Sequence, residues 1–372
     1  MNTQNNSEKD LKKLINKKIF EKICVITGKN SFNKSGISKI INFNDSKKKF
    51  KFYFKYSYLP EINELKKIIK FLDKFKPDLI IAVGGGAVLD LAKIANIAKI
   101  DDLNILEKNL SNYIVPGNKK NYPLVAIPTT AGSGAEVTSN AVIYINNVKY
   151  SVESNLLLPN YFFLISKLVL GNPKKLKATS GFDAIAQSIE SLISVKSNKT
   201  SVYYAKKSLI LSSKNFLKFV KNPSSINSEK MILAANLAGK AINISKTTAP
   251  HAVSYPFTSM YGISHGHAVS LTLEKFLNFN LLNKKFSKSN FELDKRYQII
   301  FDVFNVKNIK ELCKKIKYIK VNSGLEDNLK KLGINLDNGI DKFLEEVNLL
   351  RLKNNPVELT KKNLKDLLLK NE

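Results

Sequence analysis

All three histidines of the chain, His251, His265 and His267, fall within seventeen residues of one another. His251 is followed by Ala252-Val253-Ser254-Tyr255-Pro256-Phe257, a helical turn, and then by a loop ending Gly262-Ile263-Ser264 before His265. That spacing lets a helix–loop–helix carry two imidazoles to one divalent ion. A lone histidine is more often a hydrogen-bonded polar residue than a ligand; the concentration of every histidine in one stretch points to a site. A metal also needs a charged ligand. In Gly181-Phe182-Asp183-Ala184-Ile185-Ala186-Gln187-Ser188-Ile189-Glu190, Asp183 and Gln187 are four apart and share a helix face among mainly apolar neighbours. Taken alone they read as a helix-start aspartate and a core glutamine. Beside the histidine pair they become candidate third and fourth ligands.

Two further segments suit a phosphorylated ligand. Gly84-Gly85-Gly86 follows the apolar run Leu79-Ile80-Ile81-Ala82-Val83 and precedes a helix expected from Ala87 onward. Three glycines let the backbone approach a pyrophosphate while the helix points its N–H groups and positive dipole end at it. The spacing is not GxGxxG, so the ordinary dinucleotide fingerprint is missing, and a ligand-free turn is the plainer alternative. Asp90 lies four residues further on and could orient a cofactor or cap local structure. The second segment, Pro128-Thr129-Thr130-Ala131-Gly132-Ser133-Gly134-Ala135-Glu136-Val137-Thr138, follows the buried-strand run Leu124 to Ile127. It gathers four hydroxyls, two glycines and a carboxylate where sheets of this type bind ligands, at a strand C-terminus. Its alternative is a solvated turn.

The elements that must position these groups change character along the chain. Strand-like runs at Ile23–Thr27, Lys51–Tyr58, Leu79–Val83 and Leu124–Ile127 alternate with helical spacing, as over Glu61–Phe75. Such alternation predicts a parallel sheet with helices on both faces. Beyond residue 172 strand runs become scarce and the apolar spacing is helical. The expected organisation is an α/β nucleotide-binding domain over 1–172 and an all-α metal-binding and substrate domain over 173–372. The stretch Lys284 to Lys320 is rich in Lys and Asn and reads as exposed helices and loops.

Composition narrows the class of function. A formal charge of +29 invites a nucleic-acid reading, but only Arg296 and Arg351 among 60 basic residues are arginine. Readers of bases and phosphates rely on the guanidinium fork, and the lysines sit in short scattered runs mixed with asparagine. No nucleic-acid partner is expected, although the summed field would draw small anions to a cleft. No apolar run approaches the ~18–20 residues of a membrane span, and the first ten residues lack a signal-peptide stretch. Two distant cysteines, Cys24 and Cys313, build no disulfide framework and suit a reducing cytoplasm.

Together these segments resemble the iron-containing, or group III, alcohol dehydrogenase family. The matches are Gly84 to Asp90, Pro128 to Glu136, Gly181 to Ala184, and His251 through Gly266, in family order and spanning about residues 20–280. The resemblance implies the dehydroquinate synthase-like architecture: a dinucleotide-binding α/β domain, a helical domain and one divalent metal, Fe2+ or Zn2+. It implies interconversion of aldehydes or ketones and alcohols with NAD(H) or NADP(H), and a homo-oligomer. On this reading Asp183, Gln187, His251 and His265 hold the metal. The cofactor site draws on Gly28, Lys29, Gly84, Gly85, Gly86, Asp90, Thr129, Thr130, Ser133, Thr138 and Lys149.

Three departures carry information. The family usually has histidine where Gln187 stands; an amide oxygen ligates through Oε1 but donates less well, so weaker metal binding, or a three-residue site completed by water, is expected. Histidine is also common at Tyr255, so the proton relay falls to the Tyr255 hydroxyl or to His267. The turn Thr27-Gly28-Lys29 lacks an aspartate that the family often places there against a 2′-phosphate, which predicts NADPH over NADH. Within the family the resemblance is strongest to phosphonoacetaldehyde reductases, on Asp183 to Ser191, Gly239 to His251, Ser264 to Val269 and Leu352 to Pro356. The implied reaction is reduction of phosphonoacetaldehyde to 2-hydroxyethylphosphonate. Lys246, Thr247 and Thr248, three to five residues before His251, are the candidate anion-binding groups, with lysine acting as a point charge. The rivals are another small aldehyde, a cyclic or glycerol phosphate substrate, and a basic nucleic-acid-binding protein whose enzyme motifs are relics.

Overall fold

The computed structural model describes residues 3–5, 8–101, 103, 117–146, 148–337 and 339–370. The chain divides into two compact units, Met1–Asn172 and Pro173–Glu372.

The first unit is built on a six-stranded sheet of β1 (Thr3–Asn5), β2 (Lys22–Gly28), β3 (Lys49–Lys55), β4 (Leu79–Gly84), β5 (Leu124–Pro128) and β8 (Tyr161–Phe163). Its order is β1-β8-β5-β4-β2-β3 and every pairing is parallel. The continuous apolar runs are explained by burial on both faces: Ile23 to Ile26 and Leu79 to Val83 are all shut away from solvent. One face packs on Leu11, Leu14 and Ile15 of helix α1 (Glu8–Ile15). The other α-helices among the described residues of this unit are α2 (Lys29–Ser35), α3 (Ile62–Phe75), α4 (Gly86–Ala95) and α5 (Lys167–Leu170). From β2 the chain goes to β3 on one side and then to β4 on the other. This reversal leaves a crevice outside the carboxyl ends of β2 and β4. A separate antiparallel hairpin joins β6 (Asn140–Ile145) to β7 (Val148–Glu153). The strand expected over Lys51–Tyr58 lies two to three residues earlier, because Lys49 to Lys55 pair in register with Lys22 to Gly28.

The second unit is helical. Its centre is α6 (Lys174–Ile193), buried along almost its whole length from Lys177 to Ile193. Small and apolar residues on every side let it be surrounded. Its neighbours are α7 (Lys199–Lys221), α8 (Ser225–Ser245) and α10 (His265–Ser270). Asn198 and Ser224 start α7 and α8 with reciprocal capping boxes. Between α8 and α10 runs α9 (Ala249–Tyr261), with Pro250 in its first turn, ending at Gly262 in the left-handed region. Next come α11 (Leu273–Leu282), α12 (Leu293–Phe304), α13 (Ile309–Ser323), α14 (Ile340–Glu345), α15 (Leu349–Leu352) and α16 (Lys361–Leu369).

Two expectations need correction. Asp183 does not open its helix; it lies in the middle of α6, which starts at Lys174. The Lys284–Lys320 stretch is not merely exposed. Leu293, Tyr297, Ile300, Phe301 and Phe304 bury one face of α12, and Leu312, Ile316 and Ile319 one face of α13. Charged and polar residues on the opposite faces, mostly lysine in α13, hid this helical stripe.

Candidate functional site

The three metal-ligand candidates with charge or imidazole converge in the second unit. Donor atoms of Asp183 (α6), His251 (α9) and His265 (first residue of α10) all lie within 4.8 Å of one another. His251 Nε2 is 3.2 Å, and His265 Nε2 3.9 Å, from Asp183 Oδ1. Gly266 permits this approach: a Cβ there would sit 2.0 Å from the Thr179 carbonyl oxygen of α6. Glycine is thus required between two of the histidines so that α10 can lie directly on the Asp183 helix.

Each imidazole is oriented by its far nitrogen. The Glu190 carboxylate holds Nδ1 of His251 and also accepts from the His251 backbone N–H at 3.3 Å. Ser254 donates to the His251 carbonyl at 2.7 Å, so its oxygen accepts from His265 Nδ1 at 3.3 Å. Both Nε2 atoms therefore face the Asp183 carboxylate. Burial alone would lower the His251 pKa, but the Glu190 charge and the hydrogen bonds to Asp183 and Glu190 outweigh it and lift it to about 9. Two carboxylates thus favour the protonated ring, and a divalent cation bound there would take the place of the Nε2 proton and leave Nδ1–H on Glu190.

Gln187, one turn after Asp183 on α6, is buried, and among the described residues its Oε1 has no hydrogen-bond partner. An orphaned buried carbonyl oxygen costs free energy unless a cation or donor reaches it. The donor set of one carboxylate, two imidazoles and one amide oxygen, with two orienting partners, fits a divalent ion of the Fe2+ or Zn2+ type.

The remaining second-unit candidates divide. Tyr255 is buried on α9 one turn after His251. His267 is not brought to the ligand trio; two residues from His265, it turns away and Nε2 donates to the Glu326 carbonyl at 2.7 Å. Burial is the main cause that lowers its pKa. Lys246, half-buried, takes a positive φ of 60° just after α8. The Thr248 N–H and hydroxyl both donate to Glu190, at 2.9 and 3.0 Å, so Thr248 braces the His251 support instead of facing a substrate. Thr247 accepts from Arg351 Nη1 at 3.3 Å. The sequence reading gave neither Glu190 nor Arg351 a role. The signal for Glu190 was its position seven residues after Asp183, on the same helix face; for Arg351 there was none.

In the first unit, β2, β4 and β5 end side by side, so Gly28, Gly84 and Pro128 share one edge. There Thr130 and Ser133 lie against the glycine turn. A Cβ on Gly85 would stand 3.4 Å from Thr130, and one on Gly86 would stand 2.9 Å from Ser133 Oγ. Thr129 N–H donates to the Gly84 carbonyl at 3.0 Å. Gly85 starts α4 with no side-chain cap, leaving its first N–H groups for a ligand. Lys29 begins α2, exposed beside Gly28. Asp90, Thr138 and Lys149 belong to a different arrangement. Asp90 Oδ2 accepts from Val142 N–H at 2.9 Å, and the fully buried Lys93 donates to Thr138 Oγ1 at 3.1 Å and the Ala135 carbonyl at 3.0 Å. Burial raises the Asp90 pKa against the opposing pull of Lys93 and Lys149. This buried network ties α4 to the hairpin and the hydroxyl-rich loop, and Lys93 was not singled out from sequence.

Known proteins show the family to which the chain belongs. The family model "Iron-containing alcohol dehydrogenase" matches residues 2–166, and its companion "Fe-containing alcohol dehydrogenase family, C-terminal" matches residues 177–371. Long-chain-alcohol dehydrogenase 1 of Geobacillus thermodenitrificans is 30% identical over 59% of this chain and 56% of its own. Phosphonoacetaldehyde reductase of Streptomyces viridochromogenes is 30% identical over 56% of this chain and 55% of its own. The matched segments thus span about half the length of these curated relatives. Among solved structures, sulfoacetaldehyde reductase from Bifidobacterium kashiwanohense in complex with NAD+ superposes with a TM-score of 0.83 at 25% identity, covering 99% of this chain and 97% of that one. The residues at the trio, the glycine turn and the hydroxyl-rich loop stand on a fold shared end to end with the Bifidobacterium enzyme, and the chain belongs to the iron-containing alcohol dehydrogenase family.

Proposed function

We propose that the protein is a metal-dependent, NAD(P)H-linked reductase of a small anionic aldehyde, with phosphonoacetaldehyde as substrate and 2-hydroxyethylphosphonate as product. The observation that carries this reading is the convergence of Asp183, His251 and His265 beside the orphaned Gln187 oxygen. When bound, the metal supplies Lewis acidity toward an aldehyde oxygen and the nicotinamide supplies the hydride. Asp183, His251, His265 and Gln187 hold the ion. Glu190 and Ser254 keep the two imidazoles turned toward it. The Tyr255 hydroxyl, on the His251 face of α9, returns a proton to the product alkoxide, since His267 is committed to the Glu326 carbonyl. Gly84, Gly85, Gly86, Thr129, Thr130 and Ser133 cradle the cofactor's pyrophosphate.

The substrate choice is supported by the name of the Streptomyces relative and by the nature of the sulfonated aldehyde named for the Bifidobacterium enzyme. Lys246, five residues before His251, contributes charge toward the same anion. NADPH is the preferred cofactor, because the Gly28-Lys29 turn places no carboxylate against a 2′-phosphate. No described helix is long and apolar enough to cross a membrane; the assignment to the cytoplasm and to a homo-oligomer is part of the same proposal.

The deciding experiment measures metal content and NADPH-dependent turnover in wild type and His265→Ala. The variant should keep its circular dichroism and lose most bound metal and most activity. Full turnover by the variant after exhaustive chelation would overturn the metal mechanism. A strong NADH preference in kcat/KM would overturn the cofactor assignment alone.

A further inference from the structure

We propose that Arg351 is the specificity-determining residue of this site, binding the oxyanion group at the far end of the aldehyde. The inference rests on the reductase reading above and adds to it a residue and a recognition chemistry.

Residues 348–354 are pinned across the segment that carries His251. Asn348 N–H donates to the Ala252 carbonyl at 3.4 Å, and Asn354 Nδ2 donates to the Thr247 carbonyl at 3.2 Å. Between them Arg351 Nη1 donates to Thr247 Oγ1 at 3.3 Å. Thr247 precedes Thr248, which grips Glu190, the partner of His251. Arg351 is thus joined through one hydroxyl to the strand of residues that supports the metal ligand.

The guanidinium has little else to do. It is half-buried, offers five N–H donors, and spends one of them on Thr247; among the described residues no carboxylate lies within ion-pair distance of it. A partly desolvated cation without a counter-charge is unfavourable unless an anion arrives from solution. Thr247 accepts from Arg351, which leaves its hydroxyl proton to donate to the same anion. The other arginine, Arg296, has an evident local role, stacked 4.4 Å over the Phe291 ring. In a chain where nearly every cation is lysine, the planar fork here matches a phosphonate, sulfonate or carboxylate in two-point contact.

The test uses full-length metal-loaded enzyme, wild type, Arg351→Gln and Arg351→Lys, with phosphonoacetaldehyde and propanal as substrates. The ratio of kcat/KM for phosphonoacetaldehyde over propanal should fall about 10- to 100-fold in Arg351→Gln, carried by KM more than kcat, as expected for loss of charge-assisted hydrogen bonds. Added guanidinium should restore part of it, and Arg351→Lys should fall between. Sulfoacetaldehyde and succinic semialdehyde tell which oxyanion suits the fork. An unchanged ratio, or a parallel loss on both aldehydes with a lowered Tm, overturns the proposal. If Arg351→Gln does not fold, Arg351→Lys decides: it keeps the charge and loses the fork, and an unaltered ratio there overturns the proposal too. If wild type reduces no aldehyde, the reductase reading fails separately. Calorimetric binding of 2-hydroxyethylphosphonate then judges Arg351: binding lost in Arg351→Gln supports it, and no binding by wild type overturns it.

Discussion

The Glu190 carboxylate lies on Nδ1 of His251, and this one contact sets which ring nitrogen faces Asp183. Glu190 is fully buried and also receives the Thr248 N–H and hydroxyl, so its position is fixed from α6, the α9 start and the imidazole together.

Replacing Glu190 with Gln keeps the size and the contacts to Thr248 but removes the charge that anchors His251. Metal affinity should drop by about 10- to 100-fold, as for other orienting partners of metal-ligating histidines. Competition with a chromophoric chelator measures it; affinity within twofold of wild type would show that the contact does not tune the site.

Gly266→Ala inserts a methyl 2.0 Å from the Thr179 backbone oxygen, which α10 can relieve only by moving off α6. His265 should move with it. The variant should lose about 1–3 kcal/mol of stability and bind metal more weakly than wild type. Denaturant titration and metal content check the two losses separately.

Lys93→Met should destabilise the first unit by about 3–5 kcal/mol, because it leaves the buried Asp90 carboxylate without its ammonium partner. Adding Asp90→Asn to the same chain should recover part of the loss. A double variant as unstable as Lys93→Met alone would show that the ammonium's bonds to the Ala135 and Asn140 carbonyls matter more than the ion pair.

Cys24 sits wholly buried in β2, and burial pushes its thiol up to about 12. In the folded protein it stays protonated up to that range, while the unfolded thiol ionises near its ordinary value of 9.0. Its contribution to stability is therefore present below pH 9 and lost as pH rises from there toward 12. At pH 8 Ellman's reagent should label the half-buried Cys313 and spare Cys24 until the protein unfolds. Rapid labelling of both thiols in native protein would contradict the packing of this strand.

The sequence alone determined what depends on short-range geometry. Apolar runs of four or five residues marked β2, β4 and β5, and three glycines marked the β4–α4 turn, because a buried parallel strand and a tight turn admit few other residues. The four-residue step from Asp183 to Gln187 fixed a shared helix face, and the interval from His251 to His265 fixed a helix, a loop and a second helix. Spacing along one helix says which side chains share a face, yet not which distant face they meet. Only the tertiary structure turned His267 to Glu326, gave Thr248 to Glu190, buried Lys93 among carbonyls of the loop and hairpin, and set Arg351 on Thr247 from 104 residues away. Those pairings follow from how helices and hairpins pack, where burying a polar group demands whatever partner the fold brings within reach.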